Sequence, residues 1–290
     1  MDLVFIVNPI AGNGKGKKTI PKIHEVMKDK DISYNVWETR KKGEAISLAK
    51  KAVSENVKKI VAVGGDGTIN EVVNGIVGIN IILGVVPAGS GNDLARLLKL
   101  PPNTEDAIEL AISGLPRPID LGKVFDRYYI NIASIGLDAE IAAYTEISKK
   151  YFSGKWAYIA SIIRNLFFYK PINSVIKIDG KEMERKILLF AVGNGKYYGG
   201  GFKILPEAIM DDGYFDVCIV SHIPRWKIPL VFPSLIKGEH TKHDFVELLK
   251  LKKIEIKTNK NVKVNLDGEI NQDSKLEFEI VPKALNIIGN

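Results

Sequence analysis

Apolar positions along this chain fall into two regimes. In the first, unbroken apolar runs alternate with stretches in which apolar residues recur every three or four positions. Leu3 to Val7 precedes Ile20, Ile23, Val26 and Met27, and Ile60 to Val63 precedes Ile69, Val72, Val73 and Ile76. An unbroken run reads as a strand covered on both faces, and the three-and-four spacing as one face of a helix. Tyr34 to Glu38 and Ile81 to Val86 add strands, while Glu44 to Val53 and Thr104 to Ser113 add helices, the second with Thr104 as its expected N-cap. This alternation predicts an α/β domain, a parallel sheet with helices on both faces.

After Pro116 and Pro118 the pattern changes to short strands: Ile119 to Val124, Tyr128 to Ser134, Val175 to Ile178, Lys186 to Val192, Tyr214 to Val220, Ile254 to Thr258, Val262 to Leu266 and Leu276 to Val281. Asp179-Gly180 predicts a hairpin between the third and fourth of these. The expected division is an α/β domain over 1–122 and a β-rich domain over 123–281, the latter interrupted by an aromatic-rich helical insertion over 138–170.

Composition narrows the classes. At 290 residues with 46% hydrophobic and 26% charged positions, the chain is long enough for two packed domains and shows no signature of disorder. The formal charge of +7 favours anionic partners, but the basic residues are scattered without a long block, and no nucleic-acid partner is expected. Cys218 is the single cysteine, which excludes a disulfide framework and a thiolate metal cluster and fits a reducing cytoplasm. The first strand opens the chain directly, and no apolar run approaches the ~18 residues of a spanning helix, so membrane contact is expected to be peripheral.

The candidate chemistry lies in three glycine-rich turns, each after a predicted strand. They are Asn8-Pro9-Ile10-Ala11-Gly12-Asn13-Gly14, Gly64-Gly65-Asp66-Gly67-Thr68 and Pro87-Ala88-Gly89-Ser90-Gly91-Asn92-Asp93. In an open parallel sheet such turns gather at the carboxyl ends of the strands, where helix starts offer backbone amides to an anion. The first turn matches neither the dinucleotide fingerprint, since Lys17 stands where a third glycine belongs, nor the P-loop. Thr68 and Glu71 have capping-box spacing, and the carboxylate of Asp66 suits a site that holds phosphate together with a cation or a reacting hydroxyl.

Three later stretches could also carry chemistry. Asn194 to Gly201 is glycine-dense and reads as a ligand-facing or a surface loop. Asp211-Asp212-Gly213 reads as a cation site or a plain turn, and Asp267-Gly268-Glu269, two acids across a glycine at a strand end, as a chemical site or a hairpin turn. If the strand Val262 to Leu266 stays regular through them, Asp267 and Glu269 share one side of it. His240 and His243 lack a zinc-protease pattern and are expected at the surface.

Gly64-Gly-Asp-Gly-Thr68 with Asn70-Glu71, together with Pro87-x-Gly-Ser-Gly-Asn-Asp93, resembles the diacylglycerol kinase catalytic family, in particular its soluble bacterial lipid kinases. The resemblance extends to Asn8-Pro9 with Gly12 and Gly14, to Asn131-x-x-Ser134-x-Gly136-x-Asp138, to Asn194 through Asp212-Gly213 and to Leu266-Asp-Gly-Glu269. It implies an NAD kinase/diacylglycerol kinase-like fold, with a β-sandwich second domain and a final segment, 282–290, that returns to the first domain. It implies transfer of the γ-phosphoryl group of ATP to a lipid hydroxyl, magnesium-dependent, at the inner membrane face. Carried over by motif, Asn8, Pro9, Ala11, Gly12, Thr39, Gly65, Asp66, Gly67, Thr68, Ile69, Asn70, Glu71 and Ser90 contact ATP. Ile209 and Tyr214 through carbonyls and Asp212 through its carboxylate hold magnesium. Glu269 is the proton acceptor, with Asp267 its rival, and Asp66 the second catalytic acid. An NAD kinase-like phosphotransferase acting on a soluble substrate, or a non-catalytic nucleotide-binding regulator at the membrane surface, are the competing readings. The sequence does not select the lipid or an oligomeric state, a homodimer included.

Overall fold

The computed structural model describes residues 2–148, 161, 164–165 and 168–289. The chain divides into two compact units, one formed by Met1–Leu121 with Val281–Asn290 and the other by Gly122–Ile280.

The first unit is built from β1 (Leu3–Val7), α1 (Ala11–Met27), β2 (Tyr34–Glu38), α2 (Glu44–Ser54), β3 (Lys59–Gly64), α3 (Asp66–Ile76), β4 (Ile82–Pro87), α4 (Asp93–Leu97) and α5 (Thr104–Ser113). Pairing of β1 with β2, β1 with β3 and β3 with β4 is parallel throughout. Every residue of β1 is buried, because its side chains alternate between two covered faces. Leu3, Phe5 and Val7 pack with Ile23 and Met27 of α1 and with Ala107, Ile108 and Ala111 of α5. Small residues on α2, namely Ala45, Ala49 and Ala52, let it pack closely on α3. At the start of α5, Asn103 rather than Thr104 is the cap: its side-chain oxygen accepts from the amide of Asp106 at 3.1 Å, and Thr104 is already helical.

Strand β5 (Pro116–Val124) begins in the first unit and runs into the second, which continues through β6 (Arg127–Tyr129), β7 (Ile132–Gly136), α6 (Leu137–Ser148), β8 (Ile172–Ile178), β9 (Lys181–Gly193) and β10 (Phe215–Ser221). The second unit then holds α7 (Ile228–Lys237), β11 (Val246–Leu251), β12 (Lys253–Leu266) and the first part of β13 (Glu269–Ile288). Its pairings are antiparallel. The run Tyr128 to Ser134 is split between β6 and β7, whereas the two runs Ile254 to Thr258 and Val262 to Leu266 form the one strand β12, with an irregularity between Lys257 and Val262. Phe190, Phe215, Phe278 and Tyr129 are the large side chains of its core. Of the helical insertion, α6 covers the first part; Tyr151, Phe152, Trp156, Tyr158, Ile159, Ile162, Ile163 and Phe167 lie outside the described residues. The end of β13 belongs to the first unit, where Asn286 and Ile287 pair in parallel with Ile82 and Leu83 of β4.

Candidate functional site

In the first unit the three glycine-rich turns follow β1, β3 and β4 and touch one another through backbone. Gly12 sits at φ +55°, and a Cβ there would fall on the carbonyl oxygen of Ala88 in the third turn. A Cβ on Gly89 would strike the Cα of Gly65 in the second turn. Only glycine permits contacts this close. Polar bonds complete the assembly: the Asn8 side-chain amide donates to the Thr68 hydroxyl at 3.0 Å, and the Asn8 backbone amide donates to Val63 at 2.9 Å. Helix α3 starts with Gly65 as its cap, and its first intrahelical bond is from Ile69 to Gly65. The amides of Asp66, Gly67 and Thr68 therefore precede the ladder, which is how a helix start presents donors to an anion.

The remaining expected contacts fall into two groups. Gly67 and Ser90 are exposed, and Pro9, Ala11, Gly65 and Asp66 half-buried, so these line accessible surface of the turns. Thr39 is buried beside them, its amide donating to Val7 at 2.8 Å. Ile69, Asn70 and Glu71 are buried and support the turn from beneath. The capping box is not formed. With the helix beginning at Asp66, Glu71 lies in the second turn of α3 and reaches across to α2, accepting from the amides of Gly43 at 2.8 Å and Ala45 at 3.2 Å. Asp66 likewise binds inward, accepting from Asp93 at 3.2 Å and Leu94 at 3.1 Å, and so caps α4 and ties the second turn to the third. Asn92, part of the third motif but given no role from the sequence, holds that turn closed: its side chain both accepts from and donates to the backbone of Gly89.

In the second unit the motifs named from resemblance form one hydrogen-bonded chain. Asp267 accepts from three successive amides, Ile130 at 2.7 Å, Asn131 at 3.1 Å and Ile132 at 3.0 Å. The carbonyl of Asn131 accepts in turn from Asn194 at 2.8 Å and Gly195 at 3.0 Å, and the Asn194 side chain donates to Met210 at 3.1 Å. The strand does not stay regular through these acids. Asp267 and Gly268 have φ of +48° and +95°, a tight hairpin turn, so Glu269 pairs back with Leu266 and parts from Asp267. Asp267 is thereby consumed in structure, while the Glu269 carboxylate accepts from the guanidinium of Arg127, a partner no motif marked.

Around the expected cation site, Asp212 accepts from the Tyr214 amide at 3.1 Å and pairs with the ammonium of Lys250. Ile209 and Tyr214 are exposed. Beside them Asp216 buries an oxygen that meets no donor among the described residues, and burial, reinforced by Asp212 and Glu207, raises its carboxyl above the usual range. Hard oxygen donors with an unmet buried carboxylate fit a cation such as magnesium, provided that Lys250 is displaced. Among the described residues no group of three or more His, Cys, Asp and Glu side chains is positioned to hold a metal.

An apolar cavity of about 110 Å³ lies in the same unit, walled by residues that include Ile141, Leu189, Tyr198, Phe202 and Leu235. Tyr198, Gly199 and Phe202 show that the glycine-dense loop faces this cavity. His240 also lines it and is buried, not at the surface as expected; its Nε2 donates to the carbonyl of Ile204 at 3.0 Å, and burial lowers its pKa. Asp138 borders the cavity too. Neither of its carboxylate oxygens meets a donor in good geometry, although the Ser134 hydroxyl lies beside it, and burial pushes the carboxyl up to about 7. A native state that holds this proton more tightly than the unfolded chain is favoured at acid pH and loses that advantage as pH rises from about 4 to about 7. Asp138→Asn should therefore be more stable than wild type at pH 8, by a few kcal/mol (about 1.4 per pKa unit), and the two should converge toward about pH 4. Denaturant titrations across that range check it.

An α/β unit with three packed glycine-rich turns at helix starts is thus followed by an antiparallel unit in which Glu269 is paired with Arg127. The chain belongs to the diacylglycerol kinase catalytic family: residues 2–124 match the diacylglycerol kinase catalytic domain. Residues 131–289 match the YegS C-terminal NAD kinase beta sandwich-like domain. A diacylglycerol kinase of Staphylococcus carnosus (strain TM300) is 33% identical over 91% of this chain and 87% of its own. One of Staphylococcus aureus (strain MRSA252) is 34% identical over 91% and 85%. A crystal structure from Bacillus anthracis str. Sterne, described as a candidate diacylglycerol kinase, superposes with a TM-score of 0.85 at 28% identity, covering 100% of this chain and 95% of that one. Among the described residues no helix is long and apolar enough to cross a membrane.

Proposed function

We propose that the protein transfers the γ-phosphoryl group of ATP to the hydroxyl of diacylglycerol, giving phosphatidic acid, at the inner membrane face. The observation that carries this reading is the mutual packing of the three turns through Gly12, Gly65, Ala88 and Gly89. Phosphoryl transfer is largely a matter of positioning and charge neutralisation, and a rigid set of amides supplies both. In this reading the turns of the first unit hold the triphosphate, with Thr39 and Ser90 beside it. Asp66 fixes the second turn against the third, and Glu269 accepts the proton of the attacking hydroxyl. The apolar cavity suits an acyl chain. Labelled ATP supplied with a mixed lipid extract should place the label in phosphatidic acid. Label confined to a soluble dinucleotide would replace this reading with the NAD kinase-like one.

Asp66→Ala is expected to lower turnover by about 10² or more, since two turns lose their common anchor. The accompanying loss of a helix cap, about 1 kcal/mol, should lower the unfolding midpoint by only a few degrees. Steady-state kinetics and a thermal scan of the same preparation separate the two effects.

Magnesium at Asp212, Ile209 and Tyr214 would supply fixed positive charge that holds this loop in shape. Added magnesium should then raise the unfolding midpoint of the wild type by linkage and leave that of Asp212→Ala unmoved. Lys250→Ala, freed of the competing ammonium, should respond at lower magnesium.

A further inference from the structure

Residues 222–238 combine features that a surface facing only water does not need. Trp226, Leu230 and Ile236 are 67%, 71% and 57% exposed, and Pro229 and Pro233 are exposed between them. Positions 226, 229, 230, 233 and 236 lie three or four apart, so they form one face of the segment through α7. The opposite face is also apolar: Ile228, Val231 and Leu235 pack on the core and wall the apolar cavity. A helix apolar on both sides is normally enclosed, yet here one side is open. Arg225, Lys227 and Lys237 accompany the apolar face, and the stretch from His222 to Gly238 contains no Asp or Glu.

We propose that this segment is the surface through which the protein docks on an anionic bilayer, with Trp226, Leu230 and Ile236 entering the headgroup and acyl boundary and Arg225, Lys227 and Lys237 meeting the lipid phosphates. The charge selects the occupant. A second copy would bring the same cations against themselves across a two-fold axis, whereas an anionic lipid surface neutralises each of them. Tryptophan and leucine on one face with lysine and arginine at the ends is the composition of helices that lie in the interface plane. The segment that enters the bilayer then also walls the cavity, which shortens the path of an apolar ligand between the two. The inference rests on the reading that the substrate resides in a membrane, but its test does not use the reaction.

The full chain is sedimented, without nucleotide or diacylglycerol, with sucrose-loaded vesicles of phosphatidylcholine alone or mixed with phosphatidylglycerol. Wild type should partition onto the mixed vesicles, less so in high salt, and Trp226→Ser combined with Leu230→Ser should weaken partitioning by about tenfold or more, as expected for two lost apolar side chains. Both positions are exposed, so the variant should retain the wild-type unfolding midpoint. Brominated acyl chains should quench Trp226 in a protein carrying Trp37→Phe and Trp156→Phe. Equal partitioning of the double variant and wild type, or absence of quenching, overturns the proposal. So does a dimer dissolved by the double substitution while vesicle binding persists. If no lipid is phosphorylated but partitioning still depends on Trp226 and Leu230, the catalytic reading fails and the docking surface stands.

Discussion

Glu269→Gln should lower kcat by about 10² to 10⁴, the usual contribution of a positioned general base, with the KM for ATP nearly unchanged. The substitution keeps the size of the side chain and removes its capacity to take a proton. Its counterpart is Arg127→Met. The guanidinium holds the half-buried Glu269 carboxylate in one orientation, so its loss should cost less than removal of the carboxylate, because a misdirected base still reaches a hydroxyl part of the time. Single-turnover rates on a common lipid dispersion would rank the two variants. A fully active Glu269→Gln with an inactive Arg127→Met would transfer the chemistry to the guanidinium, as a group that binds phosphate, and leave Glu269 as its support.

The elements of the first unit were legible because their signals are local. An apolar run such as Leu3 to Val7 buried on both faces, and glycines where backbones meet, announce themselves within a few residues. The same locality explains what sequence reading missed. The Thr68 to Glu71 spacing fits a capping box, but whether the glutamate turns back to its own helix or across to Gly43 and Ala45 depends on where α3 begins and what packs beside it. Helix α7 contains Pro233 and carries apolar residues on both faces, which blurs the helical period. Strand β11, Val246–Leu251, is short and half-exposed and lies at the edge beside β10. Arg127 pairs with Glu269 across 142 positions, and no short-range rule marks such a partner. His240, polar and without a motif, is buried beside the apolar cavity with its Nε2 donating to the carbonyl of Ile204, a partner no short-range rule marks.

The same distinction governs Asp267, for which the sequence left two roles open and the structure favours the structural one. Its carboxylate accepts from the amides of Ile130, Asn131 and Ile132, at distances of 2.7, 3.1 and 3.0 Å. Bonds to a charged acceptor are worth about 1.5 to 3 kcal/mol each, and a buried donor left unmet adds its own desolvation cost. Asp267→Asn isolates this term. Asparagine tolerates the left-handed backbone found here, φ +48°, so the turn itself is not strained by the change. What changes is that one oxygen becomes an amide donor directed at other donors. A loss of about 3 to 5 kcal/mol is expected, or roughly 10 °C in the unfolding midpoint of a domain of this size. Asp267→Ala should be at least as damaging, since it removes all three bonds and places alanine at positive φ. Because Asn131 passes the restraint on to Asn194 and thence to Met210, hydrogen exchange should accelerate at Ile130 to Ile132 and at Asn194 to Gly195 before it does in β8. An Asp267→Asn protein that keeps its midpoint and its slow amides but cannot turn over would instead make Asp267 the base, and Glu269 with Arg127 a structural ion pair.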